Sequence, residues 1–103
     1  MLENTGNILI YQTEKGDTKI DAYFNDETIW MSQKSIAELY QTTPQNITTH
    51  IKNIYGDGEL DENSTCKNYL QVQNEGIRSV QRTIKVYNLS LILAIGYRVR
   101  NNI

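Results

Sequence analysis

The chain is poor in the residues that most reactive sites are built from. Its 103 residues hold one cysteine, one histidine and one proline. A lone thiol excludes an internal disulfide and fits a reducing compartment. Zinc wants about four Cys, His or acidic ligands at set spacings, and no such set is present. Cys66 and His50 are separated by a helix and a loop, so a Cys–His nucleophile is not expected. No run approaches the roughly 18 apolar residues that a membrane span requires. The opening "MLENTGN" has no basic stretch leading into an apolar one. A secretion signal is therefore not expected, and the cytoplasm is the expected location. No glycine-rich phosphate loop opens a helix, because Gly56-Asp57-Gly58 follows one. "DGELDEN" alternates Asp57, Glu59 and Asp61 as a calcium loop does. However, Glu62 stands where the turn glycine belongs and Asn68 where the bidentate Glu belongs. It reads as a solvated acidic loop. No enzyme, cofactor or metal is expected.

Charge is present but unevenly spread. Residues 1–65 hold 4 Lys and 11 Asp/Glu, or −7, and residues 66–103 hold 6 Lys/Arg and Glu75, or +5. The sum is the formal −2. Nucleic-acid binding needs a basic patch rather than a high average pI, so the basic second half is the informative part.

The chain reads as one domain, residues 1–103, of α+β class. "NILIYQT" and "TKIDAYFN" are apolar, β-branched and aromatic runs joined by "EKGD", a hairpin in which Gly16 supplies positive φ. Asp21 and Tyr23 should point away from the face used by Ile20, Ala22 and Phe24. "NDE" turns the chain again and "TIWM" makes a third strand. Ser32 caps a helix with Ile36, Ala37, Leu39 and Tyr40 at helical spacing. Thr43 caps a second, with Pro44 at its first position and Ile47, Ile51 and Ile54 as the buried stripe. Gly56 and Gly58 end it. "CKNYLQVQ" and "SVQRTIKVYN" are strands joined through "NEGIR". Asn88 caps a last helix with Leu89, Ile92, Leu93, Gly96 and Val99 on its apolar side and Arg98 and Arg100 near its C-terminus.

The second helix, in "QTTPQNITTHIK", is unusual for what covers it. Gln, Asn and Thr take the places where Glu and Lys normally give solubility, and between Lys34 and Asp57 the one carboxylate is Glu38. Two short helices joined by a tight turn can place the second in the DNA major groove. Ala37 suits their crossing point. The common glycine of such a turn is replaced by Gln41, and Thr42 stands where an apolar residue is usual. The amides and hydroxyls of Gln45, Asn46, Thr48 and Thr49 suit base edges. Lys34, Thr43 and Lys52 suit phosphates, and His50 could touch one. The hairpin that follows would be a wing, with Lys67, Arg78, Arg82 and Lys85. Arg78, Arg82 and Lys85 are further expected phosphate contacts. The bland alternatives are a polar surface helix and a sheet edge guarded by cations.

The stretch "ETIWMSQKSIAELYQTTPQNITTHIKNIYGDGELDENSTCKNYLQVQNEGIR" and the later "YNLSLILAIGYRVRN" resemble the N-terminal region of the RhuM family of virulence-associated proteins, from about Ile8 onward. The resemblance implies a bacterial helix-turn-helix DNA-binding module, linked to pathogenicity islands and other mobile elements. Members continue beyond "GYRVR" into a largely helical region. The expectation is a single winged helix-turn-helix domain with an N-terminal β-hairpin and a C-terminal helix. Its expected role is transcriptional or mobile-element regulation, with double-stranded DNA as partner, no membrane, and homodimerisation open. The rival is a protein–protein interaction module that serves a C-terminal effector region.

Overall fold

Alternating apolar residues at the N-terminus become a β-hairpin. The computed structural model describes residues 7–12 and 19–101. Strand β1 (Asn7–Gln12) pairs antiparallel with β2 (Lys19–Asn25). The expected turn at "EKGD", with Gly16, lies outside the described residues. A two-residue turn leads from β2 to β3 (Thr28–Ser32), closed by the Asn25↔Thr28 pair. Both turn residues are left-handed, Asp26 at φ 52° and Glu27 at φ 62°. Neither is glycine, and such a conformation costs about 1–2 kcal/mol per residue. Lys67 holds the turn from a distant strand. Its Nζ donates to Asn25 Oδ1 at 2.8 Å and Asp26 Oδ2 at 2.6 Å, and lies 4.2 Å from the Trp30 ring centroid.

Ser32 ends β3 and caps α1 (Gln33–Leu39), its Oγ accepting from Ser35 N at 3.2 Å. Helix α1 closes with paired bonds, Thr42 N to Ala37 O and Gln41 N to Glu38 O. These are the two bonds of a Schellman cap, with Gln41 as its left-handed residue at φ 55°. Helix α2 (Pro44–Gly56) starts at Thr43, whose Oγ1 accepts from Asn46 N at 3.1 Å. It ends on the same motif, Glu59 N to Ile54 O and Gly58 N to Tyr55 O, with Gly58 at φ 73°. The acidic loop then forms one helical turn, α3 (Glu62–Thr65), capped by Asp61.

Strands β4 (Cys66–Glu75) and β5 (Arg78–Asn88) form a long hairpin, and α4 (Leu89–Asn101) closes the chain. Asn88 Oδ1 caps α4 by accepting from Leu91 N at 3.2 Å. The sheet order is β1-β2-β3-β5-β4, so β3 lies beside the second strand of the hairpin.

Paired residues on antiparallel strands share a face. One face carries Ile20, Met31 and Tyr87 into a core with Ile36 and Ala37 of α1, Ile47, Ile51 and Ile54 of α2, and Leu91, Ile92 and Ile95 of α4. The expected α2 stripe is thus the buried one. The opposite face is apolar too, through Tyr23, Trp30, Tyr69 and Val86. The Tyr23 and Tyr69 ring centroids are 4.3 Å apart, although β3 and β5 lie between their strands. The sheet therefore curls over this second cluster. Tyr23 does turn away from the Ile20 face, as its alternation required, but into this cluster rather than into solvent.

The last helix differs from its expected apolar side. Leu91, Ile92 and Ile95 are buried, while Leu89 and Leu93 are exposed. The buried side keeps Ile92 and Gly96 of the expected stripe but turns Leu91 and Ile95 inward in place of Leu89 and Leu93. Tyr40 of the α1–α2 turn crosses α4 at Gly96. Tyr40 Oη donates to Ile92 O at 2.6 Å, and a Cβ on Gly96 would lie 2.4 Å from the Tyr40 Oη.

Candidate nucleic-acid interface

Burial of Ile47, His50, Ile51 and Ile54 leaves one face of α2 to solvent. Between the helix ends the exposed residues are Gln45, Thr49, Lys52 and Asn53, at i, i+4, i+7 and i+8. Gln45, Thr49 and Lys52 stand where the sequence placed them. Asn53 is an addition, one turn past Thr49 on the same line. Extending the helical wheel by one residue would have found it.

Asn46 and Thr48, also expected to face outward, are half-buried on the two flanks of that face. Asn46 Nδ2 donates to Thr42 Oγ1 at 2.8 Å, which ties the helix to the turn before it. Thr42 therefore serves as a polar anchor where an apolar residue is usual. On the other flank Gln33 Nε2 donates to Pro44 O at 2.7 Å and to Thr48 Oγ1. This amide fastens the start of α1 to the start of α2. Periodicity did not single out Gln33, because its role depends on how the two helices meet. Thr49 Oγ1 donates to Gln45 O at 3.1 Å, so its methyl and oxygen lone pairs face solvent.

The cations are distributed unevenly. Lys52 of α2 and Lys85 of β5 line one hollow of about 400 Å³ with Gln33, Thr48 and Glu62. Helix and hairpin thus present two cations to a common groove, with the Glu62 carboxylate also on its wall. Lys34 is exposed, but it lines a different hollow with Asp21 and Glu38, whose carboxylates offset its charge. Thr43 is exposed, with its Oγ1 engaged by the helix cap. Arg78 and Arg82 are exposed on the hairpin. They share the sheet face of Ile84 and Val86, opposite the face of Lys85 and Tyr87. Lys67, grouped with the wing cations by sequence, is spent on the β2–β3 turn and Trp30.

His50 does not reach a phosphate. It is 6% exposed and packs between α2 and α4, with Nε2 buried and unpartnered. It occupies a stripe position, i+3 from Ile47, which a helical wheel shows directly. The acidic loop is turned aside. Arg98 Nη2 lies 3.1 Å from Asp57 Oδ2 and 2.9 Å from Glu59 Oε1. Those hydrogen bonds raise the Arg98 pKa further above its already high value. Arg98 therefore clips the loop to α4 instead of only facing the end of the helix dipole.

Burial raises the pKa of the half-buried Cys66 thiol, with Lys85 opposing the shift and Glu62 adding to it. That leaves little thiolate at neutral pH. Tyr55 hydrogen-bonds to Thr65 Oγ1 at 2.8 Å, and burial again raises its pKa. No group of three or more potential metal ligands comes together among the described residues. No helix among them is long and apolar enough to cross a membrane.

Comparison with known proteins finds one family. Residues 64–103 match the Virulence protein RhuM family. The matched stretch is the end of α3, the whole β4–β5 hairpin and α4. The helix pair and the N-terminal hairpin lie outside it, although the sequence resemblance extended from about Ile8. No curated protein and no solved structure matches the chain.

Proposed function

We propose that this chain is a double-stranded-DNA-binding domain of the winged helix-turn-helix type, acting in transcriptional or mobile-element regulation. One observation carries the reading. The outer face of α2 offers two amides, a hydroxyl and a lysine, with no carboxylate among them, and the nearest acids in sequence are ion-paired to Arg98. Amides and hydroxyls suit base edges, and lysine suits phosphate. The order of elements supports it: a strand, a helix pair braced by Gln33, Asn46 and Thr42, then a hairpin whose second strand returns beside the first. In this reading Gln45, Thr49 and Asn53 face bases. Lys52 and Lys85 hold phosphates on either side of their shared groove. Asn46 and Thr48 set the pose of the helix. The family match adds the link to virulence proteins.

The test is a salt titration of binding to a preferred duplex, selected from random sequence, and to scrambled DNA. Gln45→Ala should weaken binding to the preferred duplex alone, by about 1–3 kcal/mol. Lys52→Ala should weaken both alike and flatten the salt dependence by about one unit. A folded domain that shifts no duplex at low salt refutes the reading.

A second reading, a protein-interaction module, rests on α4. Leu89, Leu93 and Tyr97, at i, i+4 and i+8, are 39%, 61% and 71% exposed. Self-association lost in Leu93→Asp, without any salt-dependent DNA binding, would favour it.

A further inference from the structure

The β4–β5 turn ends in an unexpected residue. Glu75 pairs with Arg78, so the turn is Gly76 and Ile77 alone. Gly76 has φ 67°, as the first position of a type II′ turn requires. The second position makes no demand for a side chain, and small polar residues are usual there. Ile77 fills it, and at 104% relative exposure it touches nothing. Folding gives no reason for a branched aliphatic here.

Its position does. The hairpin stays beside the protein body as far as Gln71, which shares a hollow with Ser35 and Glu38 of α1, and runs four further pairs to Glu75 before the turn. At roughly 3.3 Å per residue the tip at Gly76 projects about 17 Å beyond Gln71. Adjacent major and minor grooves are about half a helical turn apart, or about 17 Å. An arm of this length, starting beside a helix in the major groove, reaches the neighbouring minor groove. Arg78 and Arg82 approach the tip on one face, and Glu75 is the hairpin's one carboxylate.

We infer that Ile77 is an aliphatic wedge that enters the DNA minor groove, partly unstacks one base-pair step and bends the duplex, with Arg78 beside it on the phosphates. The inference rests on the DNA-binding reading above. It assigns the wing a mechanical role separate from base reading by α2. Wedges of this kind bend DNA by roughly 20–90°, toward the major groove.

The experiment uses the 103-residue chain and duplexes enriched from random sequence by that chain. Bend angle is read by electrophoresis of circularly permuted fragments. A second readout is 2-aminopurine fluorescence at each step of the site. Ile77→Asn suits the turn and removes the wedge, whereas Ile77→Leu keeps one. Wild type and Ile77→Leu should bend the duplex and brighten 2-aminopurine at one step. Ile77→Asn should bind weakly and leave the DNA straight, with an unchanged circular dichroism spectrum. A straight duplex in the wild-type complex overturns the wedge but not DNA binding. So does the same bend in Ile77→Asn. No complex with any folded variant overturns both.

Discussion

Replacing Gly96 with alanine is the sharpest test of how α4 is seated. In an ordinary helix interior the change stabilises by about 1 kcal/mol, because glycine loses more backbone entropy on folding. Here the added Cβ would lie 2.4 Å from Tyr40 Oη, 2.7 Å from Cζ and 3.0 Å from Cε1. A tyrosine ring cannot flex at its far end, so relief requires the whole side chain to swing or α4 to shift. Overpacking of this kind costs about 1–3 kcal/mol. Either movement also breaks the 2.6 Å bond from Tyr40 Oη to Ile92 O, at a further cost of about 1 kcal/mol. Less the helix-propensity gain, the net loss is about 1–3 kcal/mol. For a domain of this size each kcal/mol moves Tm by about 4–8 °C. The assay is urea and thermal unfolding of Gly96→Ala, Tyr40→Leu and the double variant. In the Tyr40→Leu background the clash is gone, so Gly96→Ala should change sign and stabilise. A single variant as stable as wild type, or strictly additive variants, would refute the packing argument.

Two further outcomes follow from local geometry. Gln41 and Gly58 occupy equivalent left-handed cap positions, so Gln41→Gly should stabilise by about 0.5–1 kcal/mol, after the entropy that glycine adds to the unfolded chain. Denaturant midpoints check it, and a destabilised variant would show that the Gln41 side chain matters more than its backbone. Burial pushes the Tyr23 and Tyr87 hydroxyls up to about 12, well above their unfolded values near 10. A raised folded pKa means that the unfolded chain releases those protons first. The stability is therefore complete below pH 10 and is lost as pH rises through 12. Tyrosinate absorbance and circular dichroism followed together should show late-ionising tyrosines released with unfolding. All seven titrating near pH 10 in a folded protein would contradict their burial.

Local signals were legible in the sequence and long-range ones were not. Ser32, Thr43 and Asn88 each cap a helix as their hydroxyl or amide chemistry suggests, because a cap is settled within a few residues. The isoleucine stripe of α2 was equally clear. Gln41 stands where such turns commonly have glycine, and its left-handed φ shows why glycine is common there. What escaped were choices made between distant elements. Lys67 looks like a wing cation until β4 curls back to the β2–β3 turn, 41 residues away in sequence. Arg98 looks like a dipole partner until the acidic loop arrives beside it. For α4, the rotation that buries Leu91 and Ile95 in place of Leu89 and Leu93 comes from packing against α1, α2 and the sheet. In the candidate interface the helix and its polar character were legible, but the sorting of Asn46 and Thr48 to the flanks was not. Their partners, Thr42 and Gln33, meet them only in the folded helix pair.

The same long-range pairs set a limit on the DNA binding proposed above. The basic half holds six cations, of which Lys67 and Arg98 are committed to acids of the other half. Arg100 lies at the end of α4, outside the groove shared by Lys52 and Lys85. Lys34 has Asp21 and Glu38 beside it. The exposed cations that the DNA-binding proposal assigns to phosphate are Lys52, Lys85, Arg78 and Arg82. Each neutralised phosphate releases condensed counterions and contributes about −0.9 to the slope of log K against log salt. Four contacts give a slope of about −3.6. Titration from low to moderate salt on one duplex measures it, with Lys52→Ala and Lys85→Ala each expected to remove about one unit. A slope near zero would mean that phosphates are not engaged. A slope near −4 that neither variant changes would place the contacts on another surface and remove α2 from the groove.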